Sequence, residues 1–197
     1  IRNRDKPGWS NWRGAIVGQM TMVQDLAEFL VSRSYEDLSH PAVDALKVRI
    51  LDGLGCAIGA LEGAPIRAIR DYIRDFGGRP LCTAIGFNRT APALCAFYNG
   101  ALVRYLDFND SYLAKGETCH PSDNLGAVLA AAECANRSGK DFLVSLAVAY
   151  QVQCRLSDVA PVRAKGFDHT TQGAYAVAAG VSKALHLDSV KTANAIA

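Results

Sequence analysis

Apolar residues recur along this chain at helical spacing, in blocks separated by short polar breaks. Val23, Leu26, Ala27, Leu30 and Val31 follow the i, i+3, i+4, i+7, i+8 pattern, which puts them on one face of a helix beginning at about Val23. Ser39-His40-Pro41 opens a second helix, because serine suits an N-terminal cap and proline is tolerated in the first turn. Its expected buried stripe is Val43, Leu46, Ile50, Leu54, Ala57 and Ile58. A third helix is predicted from Ile66 to Phe76, with Ile66, Ile69, Ile73 and Phe76 inward and Gly77-Gly78 as its stop. Leu81 to Gly86 reads as a short extended piece. Thr90-Ala91-Pro92 starts a fourth helix carrying Leu94, Phe97, Tyr98 and Leu102.

Further helices are predicted over 125–136, over Phe142 to about Ser157, over Gly173 to Leu185, and from Asp188-Ser189 onward. Ser138-Gly139-Lys140-Asp141 reads as a break, and 161–168 as a loop. The last helix has no glycine or proline stop before Ala197, so the expectation is a portion of a longer protein. Helices with short connections and no strand alternation predict an all-α, bundle-like domain. Residues 1–21 are set apart as an extension: they are basic and hold both tryptophans. The expected domain is 22–197.

Composition narrows the function classes. Half of the 197 residues are apolar, enough for a sizeable core. A formal net charge of +2, with acids interleaved among Arg67, Arg70, Arg74 and Arg79, is too balanced for a nucleic-acid binder. No apolar run approaches the ~20 residues that span a bilayer. The six cysteines are widely spaced with no C-x-x-C pair, which predicts reduced, mostly buried thiols and no zinc or iron–sulfur site. The expected setting is the cytoplasm, or the mitochondrion in a eukaryote.

Two glycine patterns resemble known motifs and fail on context. Gly53, Gly55 and Gly59 lie late in a helix, without the strand that a dinucleotide fingerprint needs. Gly180 to Ala184 lacks the final glycine of a nucleophile elbow.

The chemistry concentrates in "LDFNDSYLAKGETCHPSDN", residues 106–124, which is read as a loop between helices. His120 and His169 each precede an alanine-rich helix within a cluster of polar groups. His40 and His186 sit at helix ends and read as structural. Asp110 and Asp123 read as caps or braces of the loop.

"LDFNDSYL", "HPSDN" and "RAKGFDHTTQGAYAVAAGVSKALHLD", in this order, resemble the MmgE/PrpD family of 2-methylcitrate dehydratase and cis-aconitate decarboxylase. The segment "YIRDFGGRPLCTAIGFNRTAPALCAFYNGALVRYLDFND" has the same look, and the resemblance runs from about Met22 to Ala197. It implies a helical domain completed elsewhere by a smaller α/β domain that this chain lacks, with the active site between the two. It further implies a homodimer acting on a small tricarboxylate, with no metal and no cofactor. On matching positions Asp107, His120 and His169 look catalytic, and Ser111 stands where the family often has threonine. "DFND" with "HPSDN" is more similar to the dehydratase branch than to the decarboxylase branch. "SNWRG" at 10–14 echoes a later family element out of order.

Dehydrating a 2-hydroxy tricarboxylate needs a base to take a proton from carbon beside a carboxylate and an acid to protonate the departing hydroxyl. Histidine titrates near neutrality and fills either role. The order of His120 and His169 stays open, with Asp107 positioning or sharing a proton. Ser122, Asn124, Arg163 and Lys165 are available to hold carboxylates and developing charge. Alternatives are a decarboxylase or an epimerase of the same family, or a catalytically incomplete helical piece that only dimerises.

Overall fold

The computed structural model describes residues 20–197. The tryptophans, "SNWRG" and nearly all of the extension lie outside the described residues. Eight helices follow in order: α1 (Met22–Ser32), α2 (His40–Gly59), α3 (Ala64–Phe76), α4 (Pro92–Tyr105), α5 (Leu125–Cys134), α6 (Gly139–Val159), α7 (Thr170–Ala184) and α8 (Ser189–Ile196). The described residues thus form an all-α fold carrying two small hairpins. Among them no helix is long and apolar enough to cross a membrane.

Local chemistry starts several helices. At α1 the Gln24 amide donates to Thr21 Oγ1 (3.3 Å), while the Thr21 amide donates back to Gln24 Oε1 (2.8 Å). This reciprocal box satisfies two end donors at once. Ser39 caps α2 through the Ala42 amide. The supposed break at 138–141 is instead a start: Ser138 and Asp141 form a second capping box, and α6 begins at Gly139.

Two elements absent from the helical pattern are antiparallel hairpins. β1 (Cys82–Thr83) pairs with β2 (Arg89–Thr90), and β3 (Tyr112–Ala114) with β4 (Glu117–Cys119). The second hairpin lies inside the segment read as a loop. Its turn uses Gly116 at φ 88°, a conformation open to glycine at no steric cost. A 3₁₀ turn over Pro121–Asn124 then leads into α5, and another over Arg163–Lys165 lies in the 161–168 connection.

The main core joins α2 to α6 through Leu46, Ile66, Tyr98, Leu102, Val128 and Leu146. A second cluster of Leu30, Val148, Val152, Ala176, Ala179 and Ile196 ties α1, α7 and α8 to α6. The α4–α5 contact is close because Gly126 has no side chain: a Cβ there would lie 2.4 Å from the Gly100 nitrogen. Ile58, Phe76 and Phe97, expected inward, are exposed. Each lies at the edge of its apolar stripe, and the neighbouring helix covers only the centre. Cys56, Cys82, Cys95 and Cys119 are buried thiols, Cys154 is half-buried and Cys134 exposed; all six are free.

Candidate active site

β4 ends at Cys119, so His120 emerges directly from a hydrogen-bonded strand. His169 is the N-cap residue of α7, which starts at Thr170, three positions earlier than the apolar pattern of that helix suggests. Glu117 of β4 links these two places. Its Oε2 accepts hydrogen bonds from the Val162 amide (2.9 Å) and from Gln172 Nε2 (2.8 Å). Gln172 also donates to the Ala160 carbonyl oxygen (3.0 Å). The hairpin, the 161–168 connection and the first turn of α7 are thereby fastened together.

The result is a histidine pair. The His120 and His169 rings lie edge to face, with centroids 5.3 Å apart and planes at 68°. His120 Nδ1 is 2.8 Å from the backbone carbonyl oxygen of Asp110 and 3.3 Å from Ser111 Oγ. A carbonyl oxygen only accepts, so Nδ1 carries the hydrogen; in the neutral ring the lone pair is then on Nε2. Asp110 is itself held: its Oδ1 accepts from the Ser122 amide (2.9 Å) and its Oδ2 from the Tyr150 hydroxyl (2.9 Å). Burial first, and then the neighbouring Asp110 carboxylate, push the Tyr150 hydroxyl well above its ordinary value. Tyr150 therefore stays a neutral donor.

His169 is 8% exposed, and neither of its ring nitrogens has a hydrogen-bond partner among the described residues. Carboxylates nevertheless approach from two sides. Asp168 Oδ1 lies 3.1 Å from Nδ1, and Asp123 Oδ2 lies 3.7 Å from Nε2. Asp168 is mostly exposed, and its carboxyl sits low because it accepts from the Thr170 amide at 3.0 Å. Asp123 is more enclosed. Burial raises its carboxyl above the usual aspartate value, opposed by Arg104, the two histidines and Asn109. Asn109 Nδ2 donates to Asp123 Oδ1 and to Ser122 Oγ, each at 2.9 Å.

The remaining candidates are placed less centrally. Asp107 stands at the rim with its side chain 72% exposed and its backbone at φ 58°. It pairs with Arg104, whose hydrogen bond and charge hold its carboxyl below the usual range. The Arg104 Nε also lies 3.9 Å from Asp123, so this arginine connects the rim to the interior. Ser111 is exposed beside His120. Ser122 and Asn124 are fully buried. Ser122 Oγ accepts from Asn109, and Asn124 Nδ2 donates to Gln153 Oε1 (2.6 Å) and to the Pro121 carbonyl oxygen (2.9 Å). Arg163 and Lys165 are exposed on their 3₁₀ turn. An open groove of about 680 Å³ begins at Asp123 and Thr170 and continues along apolar Val177, Val181, Leu185 and Leu187.

Arg104, Asn109 and Glu117 were given no role by the sequence reading, and Asp123 was read only as a cap or brace of the loop; all four lie at the candidate site. The i, i+3 spacing of Arg104 and Asp107 on the end of α4 was the one signal available for the arginine. Among the described residues no three His, Cys, Asp or Glu side chains gather as a metal-binding set.

The model of the MmgE/PrpD N-terminal domain matches residues 24–197. The chain belongs to the MmgE/PrpD family. Its curated relatives in that family include the mitochondrial 2-methylcitrate dehydratase of Yarrowia lipolytica, 32% identical over 89% of this chain and 36% of that protein. The 2-methylcitrate dehydratase of Escherichia coli is 30% identical over 88% of this chain and 38% of its own length. The alkylcitrate dehydratase phiI of a fungal species is 30% identical over 76% of this chain and 33% of that protein. The MmgE/PrpD chain described here thus spans little more than a third of the length of these dehydratases.

Proposed function

We propose that this chain supplies the acid–base face of a hydro-lyase site that dehydrates a small 2-hydroxy tricarboxylate such as 2-methylcitrate to 2-methyl-cis-aconitate. The observation that carries the reading is the histidine pair: one imidazole with a free Nε2 lone pair beside a second that is buried without a hydrogen-bond partner. The names of the relatives supply the substrate class.

In this reading His120 Nε2 takes the proton from the carbon next to a carboxylate. Its Nδ1 hydrogen bond to the Asp110 carbonyl keeps the lone pair aimed outward. His169, with a carboxylate toward each ring nitrogen, hands a proton to the departing hydroxyl, which leaves as water. The carbon–hydrogen electron pair becomes the new double bond. Asp107 acts through Arg104 at the mouth of the site. Ser111, Arg163 and Lys165 are exposed around it and hold carboxylates, while Ser122 and Asn124 act from within by bracing the loop. Assembly as a homodimer belongs to the same reading, supported by an exposed apolar face of α2 formed by Val48, Leu51 and Ile58.

The test follows the ultraviolet absorbance of the unsaturated product with 2-methylcitrate in the full-length protein that carries this chain and in its His120→Ala and His169→Ala variants. Absorbance should rise for the protein, and each variant should lose about 10²-fold or more in kcat. Near-normal turnover in both variants sinks the assignment. Exchange of a substrate proton with solvent, without loss of water, would replace dehydration with epimerisation.

A further inference from the structure

Two carboxylates face the buried histidine, Asp168 at Nδ1 and Asp123 at Nε2, and Asp107 is neither of them. Three observations set Asp123 apart. Its Oδ2 lies 3.7 Å from His169 Nε2, whereas Asp107 is turned to solvent and paired to Arg104. Its other oxygen is fixed by Asn109, which Ser122 in turn holds on the buried side, so the carboxylate cannot swing away without breaking that link. Its side chain is 26% exposed, against 59% for Asp168 on the opposite edge of the same ring. A carboxylate oriented by a second hydrogen bond and aimed at an imidazole nitrogen is the arrangement that sets the orientation and proton placement of a working histidine.

The geometry points to Asp123 as the positioning residue of this site. Its Oδ2 faces the Nε2 edge of His169 at 3.7 Å, an ion-pair distance rather than a hydrogen bond, and so biases the charge and proton placement of that ring, with Arg104 and Asn109 keeping the carboxylate in place. This inference rests on the dehydratase reading for its catalytic consequence, and on the His169 contact alone for its structural content.

The experiment compares the full-length protein that carries this chain with its Asp123→Asn, Asp123→Glu and Asp168→Asn variants. The imidazole nitrogen resonances of His120 and His169 are read by long-range ¹H–¹⁵N correlation, alongside kcat and KM on 2-methylcitrate. In D123N the Nε2 resonance of His169 should shift while the His120 nitrogens hold. D123E should recover it in part, and D168N should move chiefly Nδ1. In turnover, D123N should lose about 10²-fold in kcat with KM little changed. If D123N loses its helical circular dichroism, Asp123→Ser takes its place. An Nε2 resonance of His169 that is the same with and without the Asp123 carboxylate overturns the proposal, as does a D123N loss confined to KM. A wild-type protein without turnover defeats the dehydratase reading, and the nitrogen resonances then decide this one by themselves.

Discussion

Glu117 and Gln172 share a buried hydrogen bond of 2.8 Å, and through it a strand end and a helix start that are distant in sequence are held as neighbours. Glu117 is 5% exposed, and its Oε2 also accepts from the Val162 amide. The histidine pair depends on this fastening, because His120 follows one side of it and His169 precedes the other.

Glu117→Ala should therefore separate the two rings. It leaves the Val162 amide and Gln172 short of an acceptor in a buried place, a loss of about 2–4 kcal/mol in unfolding free energy. Urea denaturation measures the loss. A nuclear Overhauser contact between the His120 and His169 rings, present in the parent, should vanish. A retained contact would show that the hairpin is positioned by something other than Glu117.

Asp123 sets a pH dependence of stability. Burial raises its carboxyl above 3.8, the ordinary aspartate value, so the folded chain keeps this proton to higher pH than the unfolded chain does. The stabilisation is complete below 3.8 and is lost as pH rises from there through the raised folded value. Asp123→Asn removes the titration. The variant should be more stable than the parent at neutral pH, and the gap should close in acid below 3.8. Denaturation at the two pH values checks the sign; a less stable variant at neutral pH would mean the carboxylate is compensated rather than strained by burial.

Asp107 titrates low because Arg104 hydrogen-bonds to it and lends it positive charge. Arg104→Gln should raise the titration midpoint of Asp107 toward the ordinary aspartate value. Carbon-13 detection of its carboxyl shift follows this directly. An unmoved midpoint would remove Arg104 from its place as the link between rim and interior.

At the α4–α5 crossing, Gly126→Ala puts a methyl group 2.4 Å from the Gly100 nitrogen and 2.9 Å from the Asn99 carbonyl carbon. Backbone atoms cannot rotate away, so the helices must part. A destabilisation of about 2–3 kcal/mol is expected, at the upper end for overpacking, and thermal unfolding reads it.

The helices were legible because their cause is local. Ser39 before Pro41, Asp188 before Ser189 and the spacing of Val23 to Val31 each act within one or two turns, and the helices stand where those signals place them. Where the reading failed, the deciding partner was distant. Ser138 to Asp141 looked like a break because a capping box and a loop use the same residues, and only the run of α6 behind it separates them. The β3–β4 hairpin escaped because each strand is three residues long, too short for alternation to show.

Sequence by itself determined the class of fold, the family and the segment that carries the candidate site. Those properties rest on spacing and on short ordered motifs, which one dimension records in full. Tertiary structure alone decided which groups meet. His169 faces Asp123 because Glu117 and Gln172 close the space between a strand end and a helix start. Asp107, similar in its motif and close in the chain, is turned outward by a left-handed backbone and by Arg104. A hydrogen bond between residues far apart in sequence leaves no periodic trace in either, so the meeting of the two histidines was visible only once the chain was folded.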